Sequence, residues 1–314
     1  MKYFLRKFMA LLLTMFLVSI FTFAAFNVIP GDPAELILGT EATPESIAAL
    51  RASLGLNQSL PQRYLKWFGG LLHGNMGTSL QYSQPVSSLL ASRLPVTACL
   101  AGMAFILIIA LSFPAGILAA KWHGSWAGRF LDSITMLNLT LPGFFVGVLF
   151  IWIFGIILHC FMPGEYVDYR QNFGGFLRYL IFPAIAVALP NIASTAKFLR
   201  TSILAEKGSD YVRTARSKGV SEDVVLRRHI LKNAAVPAIT LLGMTVAGIF
   251  SGSIIVEQVF SLPGVGRLLI SAVSSRDFPL LESLVVYIAF LVSIANFLAD
   301  MLIRAVDPRM KEKA

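Results

Sequence analysis

Six runs of this 314-residue chain carry almost no charge, and each is long enough to cross a lipid bilayer. They are Phe8–Ile29, Thr97–Ala120, Ile134–Cys160, Tyr179–Ala196, Ala234–Val256 and Ser283–Ile303. Hydrocarbon gives a peptide group nothing to bond, so a spanning segment must satisfy its own backbone, which about 20 residues of helix achieve. Charged residues are 14% of the chain, against roughly 25% in a soluble domain. The expected fold is therefore an all-α polytopic membrane protein with six transmembrane helices. The fourth run is the shortest, and Pro183 and Pro190 inside it leave its ends least defined. The sixth carries Asp300 near one end, where a short side chain still reaches the headgroup region.

The net charge of +9 is distributed by side and does not point to nucleic acid. With the N-terminus inside, segments 1–7, 121–133, 197–233 and 304–314 hold 18 Lys and Arg in 68 residues. Segments 30–96, 161–178 and 257–282 hold 8 in 111. Basic residues concentrate on the cytoplasmic side of membrane proteins, so both termini are expected inside. Lys2, Arg6 and Lys7 before the first run imitate a secretory signal. The run is longer than a signal core of about 7–15 residues and no A-x-A site follows, so it is expected to stay as a span. Cys99 and Cys160 sit near the outer ends of their runs. A disulfide is conceivable there, but buried small hydrophobes are the preferred reading.

These runs divide the chain into an uncleaved N-terminal helix (1–29), an extracytoplasmic segment (30–96), a membrane core (97–304) and a cytoplasmic tail (305–314). In the extracytoplasmic segment, Pro30-Gly31-Asp32-Pro33 stops the first helix. Thr43 as N-cap and Pro44 at the first helical position open a helix with Ile47, Leu50 and Leu54 on one face. Pro61–Leu72 reads as an amphipathic helix whose Tyr64, Trp67 and Phe68 suit a membrane interface. A small lid on the outer mouth is the preferred role, and it is compatible with docking an extracytoplasmic partner.

Inside the core, residues 197–233 form a basic segment with nine Lys and Arg against four acids. Ser209 or Asp210 can cap a helix over Tyr211–Lys218, and Gly219 stands where a left-handed cap belongs. Ser221 can cap a second short helix, with Glu222 and Asp223 in its first turn and Arg227, Arg228 and Lys232 further on. The spacing thus predicts helix–Gly–helix along the inner face before Pro237 enters the fifth span.

The chain lacks a phosphate-binding loop of the form G-x-x-x-x-G-K-[ST]. Five of the six runs contain no Asp, Glu, Lys or Arg, which argues against ion coupling at mid-membrane. Ser251-Gly252 has no histidine base beside it, and two deep carboxylates for an aspartyl protease are missing. No enzymatic role and no bound cofactor are expected. Asn138, Asn191, Ser194, Thr195, Ser251 and Ser253 can line a path or bond neighbouring helices, and helix bonding is preferred. Such a chain is a transport pore whose engine is supplied by another subunit.

The stretch Asp210-Tyr211-Val212-Arg213-Thr214-Ala215-Arg216-Ser217-Lys218-Gly219 resembles the "EAA" loop of ABC importer permeases, in the form found in the dipeptide/oligopeptide/nickel subfamily. The resemblance covers nearly the whole chain, through Pro30-Gly31-Asp32-Pro33-Ala34, Gly77-Thr78-Ser79-Leu80, Leu141-Pro142-Gly143-Phe144-Phe145, Arg228-His229-Ile230-Leu231-Lys232-Asn233, Leu262-Pro263-Gly264-Val265-Gly266-Arg267 and Asp307-Pro308-Arg309. It departs from the general importer pattern at Arg213-Thr214, where Glu-Ala would stand, and in placing Pro237 far beyond Gly219.

The resemblance implies a type I importer in the bacterial inner membrane. Its expected partners are a second permease subunit in a heterodimer, two cytoplasmic ATP-binding subunits, an extracytoplasmic solute-binding protein and the surrounding lipid. It implies an ATPase-coupling role for residues 210–219 with Arg228, His229 and Asn233. A di- or oligopeptide is the expected solute, with nickel or a metal chelate as the alternative. A standalone channel or carrier without an ATPase is the rival from another class.

Overall fold

The computed structural model describes residues 2–28, 43–53, 55–162 and 164–306, together with Ala34 and Leu38. In order come α1 (Lys2–Val28), α2 (Pro44–Ser53), α3 (Leu60–Leu72), α4 (Val86–Lys121), α5 (Trp126–Thr140) and α6 (Gly143–Ile157). Then follow α7 (Phe173–Glu206), α8 (Asp210–Ser217), α9 (Glu222–Val259), α10 (Val265–Ser274) and α11 (Phe278–Val306). No β-strand occurs among the described residues. The Pro30–Pro33 stop, Leu54 and the Asp307-Pro308-Arg309 motif lie outside them.

Five helices, α1, α4, α7, α9 and α11, are each long and apolar enough to span a membrane. The third run, expected as one helix over Ile134–Cys160, is instead broken. α5 and α6 meet at an angle of 101°. Pro142 is the cause, because it has no N–H to continue a ladder and it holds Leu141 extended at φ −86°, ψ 122°. Pro142 is itself extended and starts α6, which widens into a π-helix over Ile151–Ile157.

Counted as one span, the bent pair brings the candidate crossings to six. At its start, Asp132 accepts from Arg200 near the end of α7 at 2.8 Å, and Lys207 donates to the Ala120 carbonyl at 3.0 Å. Beyond its end, the Gly164 N–H bonds the Tyr179 hydroxyl near the start of α7 at 3.0 Å. At 1.5 Å per residue, Tyr179 and Lys207 stand about 40 Å apart along that helix. The chain from Ala120 to Gly164, which contains the pair, therefore runs alongside most of α7.

The fourth run is longer than its apolar stretch. α7 runs 34 residues, straight through Pro183 and Pro190, and recruits polar residues at both ends. Pro190 cannot donate to the carbonyl of Ala186 four residues earlier. Gly143 lies against that oxygen, and a Cβ added there would come within 3.0 Å of it. The break in one span is thus seated on the proline site of the next.

A second correction concerns the basic segment. The short helix expected after Ser221 is not separate, since α9 runs from Glu222 to Val259 with Pro237 inside it. A π-helical stretch over Val225–Ile230 joins the polar start to the apolar span. Glu222 and Asp223 in the first turn favour the helix there, and nothing between them and the span breaks it.

The described residues fall into two compact units, one within 3–95 and 263–294, the other within 96–262 and 295–306. In the first unit, α3 lays its aromatic face on α1. Tyr64 meets Ser19 at 2.9 Å, and Phe23 packs edge-on to Tyr64 with ring centroids 5.5 Å apart. Thr43 accepts the Ser46 N–H at 3.2 Å, as an N-cap should. Val86, Leu89 and Leu90 form a core with Val265, Leu268, Leu280 and Leu284. Buried Asp277 caps α11 by accepting from the Leu280 N–H, and it also accepts from the Ser79 hydroxyl at 2.5 Å and the Gln81 N–H at 3.1 Å.

In the second unit, α4, α6, α7 and α9 enclose one apolar core that includes Leu100, Ile108, Val146, Leu180, Ile249 and Phe260. Both cysteines are free. Cys99 packs partly buried against this core. Cys160 is exposed just past α6, contrary to the expectation that it is a buried hydrophobe.

Candidate functional site

The second core of the same unit gathers where spans end. Ala120 closes α4, Leu199 and Ile203 lie in the last turns of α7, and Val225, Leu226, Ile230, Ala234 and Ala238 open α9. α8 is inserted among them by Val212 and Ala215, which are three residues apart and so share one face of the helix. The other positions of α8 are exposed: Asp210, Tyr211, Arg213, Thr214, Arg216 and Ser217, followed by Lys218 and Gly219. Residues 210–219 therefore divide into two that anchor and eight that are presented.

Backbone hydrogen bonds fix how α8 ends. The Gly219 N–H bonds the Arg216 carbonyl at 2.9 Å and the Val220 N–H bonds the Ala215 carbonyl at 3.3 Å. This pair of bonds, with Val220 packed on the core beside Ala215, is a Schellman ending. It requires a left-handed residue, and Gly219 has φ +79°. A Cβ added at Gly219 would meet nothing within 4 Å, so any penalty for a side chain there is conformational.

Polar contacts hold the turn from outside. Arg216 grips Glu222 with two parallel bonds of 2.6 and 3.0 Å, across the glycine turn to the start of α9. That fork holds the guanidinium above its ordinary pKa. Asp223 pairs with Lys121 at the end of α4 at 2.8 Å. Tyr211 donates to Glu206 at 2.5 Å, with the Asn233 side chain beside it. Partial burial, then the Glu206 bond, raise its phenol above the usual value. The structure thus brings Asn233 to α8, while Arg228 and His229 stand exposed on the π-helical stretch against which α8 packs. Ser209 precedes α8 in extended conformation but bonds Glu206 instead of capping the helix.

Four of the polar residues named for a path bond the backbone of their own helices. Asn191, Ser194, Ser251 and Ser253 each donate to a carbonyl three or four residues back in their own helix. Ser253 and Thr195 are fully buried, and the Thr195 hydroxyl has no partner among the described residues. Asn138 is half-buried in α5. An interhelical bond does exist, but through residues the sequence reading did not name. Thr97 of α4 donates to buried Glu257 of α9 at 2.7 Å. Glu257 directly follows Val256, where the fifth apolar run was closed, so a carboxylate at a span's edge was the available signal. The Arg200 link to Asp132 and His123 was missed because its partners lie 68 and 77 residues apart in sequence.

The comparisons with known proteins agree with one another. Residues 112–312 match the family described as binding-protein-dependent transport system inner membrane component, and residues 1–101 match its N-terminal companion. A Brucella abortus protein named for a peptide transport system permease is 39% identical over 297 residues, 95% of each chain. A Sinorhizobium fredii protein named for a peptide ABC transporter permease is 35% identical, covering 98% of this chain and 99% of the relative. The glutathione transport system permease protein GsiC of Escherichia coli is 33% identical along the full length of both. Among solved structures, the MetNI methionine ABC transporter in inward-facing conformations aligns with a TM-score of 0.56 at 16% identity, covering 70% of this chain and 96% of that one.

Proposed function

This chain belongs to the family of binding-protein-dependent transport system inner membrane components, and from that premise we propose that it is the membrane pore subunit of an ATP-driven peptide importer. As a member it is a multi-pass inner-membrane permease of an ABC importer, a system that includes ATPase and solute-binding partners. Full-length similarity to permeases named for peptide and glutathione transport carries the choice of a short peptide. The finer assignments are a heterodimer with a second permease, two ATPase subunits, and an N-in, C-in orientation that places α8 in the cytoplasm.

α8 is the coupling element on this reading. Its presented residues, Arg213, Arg216 and Lys218 among them, seat in an ATPase subunit. Val212 and Ala215 tie the helix to the ends of three spans at once. A displacement of α8 by ATPase closure is passed to α4, α7 and α9 together, because packed side chains transmit strain instead of absorbing it. Reconstitution tests the proposal. Proteoliposomes containing the chain, its co-purifying permease, ATPase subunits and binding protein should accumulate radiolabelled dialanine only with ATP. Nucleotide-independent uptake by this chain alone would mean a standalone carrier. Nickel uptake without dialanine uptake would remove the peptide assignment.

A further inference from the structure

Glu282 has no role in the pore or in coupling as described, and its surroundings are unusual for a carboxylate. It lines a cavity of about 350 Å³ in the first unit with Phe23, Trp67, Arg63, Lys66 and Phe278. The Arg63 guanidinium is the charge that acts on it, yet the carboxylate makes neither hydrogen bond nor ion pair with the described residues. Trp67, on the same wall, has a buried indole N–H with no acceptor among the described residues. Phe23 and Trp67 present rings 5.6 Å apart, and Arg63 stands 6.0 Å from the Phe23 centroid. A carboxylate left without a donor costs free energy, which a bound donor recovers.

The cavity lies where two candidate spans meet at their ends. Phe26, in the last turn of α1, packs against Phe278, the first residue of α11, with centroids 6.2 Å apart. One span ends and another begins at this level, beside an aromatic helix of the kind that lies in interfaces.

We propose that this cavity binds a zwitterion whose primary ammonium and oxyanion are a few ångströms apart. The ammonium donates to Glu282 and lies over the aromatic walls, a setting that favours a cation. The oxyanion is held by Arg63 and Lys66 at the rim. Ethanolamine phospholipid headgroups and free short peptides both carry this pair of charges. Placement at the ends of α1 and α11 favours the headgroup.

The proposal does not depend on what the importer carries, and its test reads lipid retention. The full-length chain, purified in its assembled complex, is exchanged into equimolar phosphatidylethanolamine and phosphatidylglycerol, and retained lipid is quantified by native mass spectrometry. Tightly retained phosphatidylethanolamine should exceed phosphatidylglycerol at least fivefold. Glu282→Gln, which keeps the volume, should bring the ratio to about one, and Lys66→Gln on the exposed rim should lower retention without reversing the preference. Excess dialanine that leaves retention unchanged identifies the headgroup, whereas displacement of the lipid identifies a free peptide. Equal retention of both lipids by the native chain, or an unaltered ratio in a folded Glu282→Gln complex, would overturn the site. If Glu282→Gln fails to assemble, the Lys66→Gln and native measurements decide the question alone.

Discussion

Gly219 is the residue at which conformation alone governs an outcome. With φ at +79° and open space where a Cβ would point, substitution leaves packing intact and acts only through the backbone. The Cβ itself meets nothing, so the conformational cost is the one that every side chain there must bear. A β-branched residue at positive φ costs roughly 1–2 kcal/mol, whereas Asn tolerates that region. Gly219→Val should unwind the end of α8, lower ATPase retention on co-purification and reduce uptake several-fold. Gly219→Asn should keep most of both. Equal behaviour of Val, Asn and the native glycine in those two assays would remove the left-handed turn from the coupling scheme. The glycine was legible from sequence because its turn is local. Glu257 was not, since its partner Thr97 is 160 residues away and only folding brings them to 2.7 Å.

Among the helices, the seat of the bent pair can be tested directly. Gly143 lets α6 approach the Ala186 carbonyl, which Pro190 has left without its usual donor. Gly143→Leu should drive α6 from α7 and destabilise the chain by about 1–3 kcal/mol, the usual cost of overpacking. Gly248→Leu, at a site with nothing within 4 Å, is the control. Thermal unfolding in detergent should separate the two variants, and matching midpoints would show that the contact carries no weight. The sequence announced most elements here through hydropathy, a property each run possesses alone. It did not announce the 101° bend, because Ile134–Cys160 is apolar on both sides of Pro142. Nor did it announce that the polar residues 222–233 continue into the fifth span, since hydropathy marks the bilayer and not the helix.

For the molecule as a whole, the proposed orientation rests on 18 basic residues in the segments assigned to the inside against 8 in those assigned to the outside. In a Cys160→Ser background, which removes an exposed native thiol, Ser83→Cys should react with an impermeant maleimide in intact cells. Ser217→Cys should react only after permeabilisation, and the reverse pattern would invert the assignment. The bent pair has a further consequence, for how the chain is made. α5 and α6 are about 22 Å long each, short of the roughly 30 Å of hydrocarbon, and both lean on α7. When the ribosome has finished α6, the helix that supports it has not yet been synthesised. On this geometry the third crossing is expected to wait at the translocon for α7, so that two spans enter the lipid as a pair and the order of synthesis differs from the order of insertion.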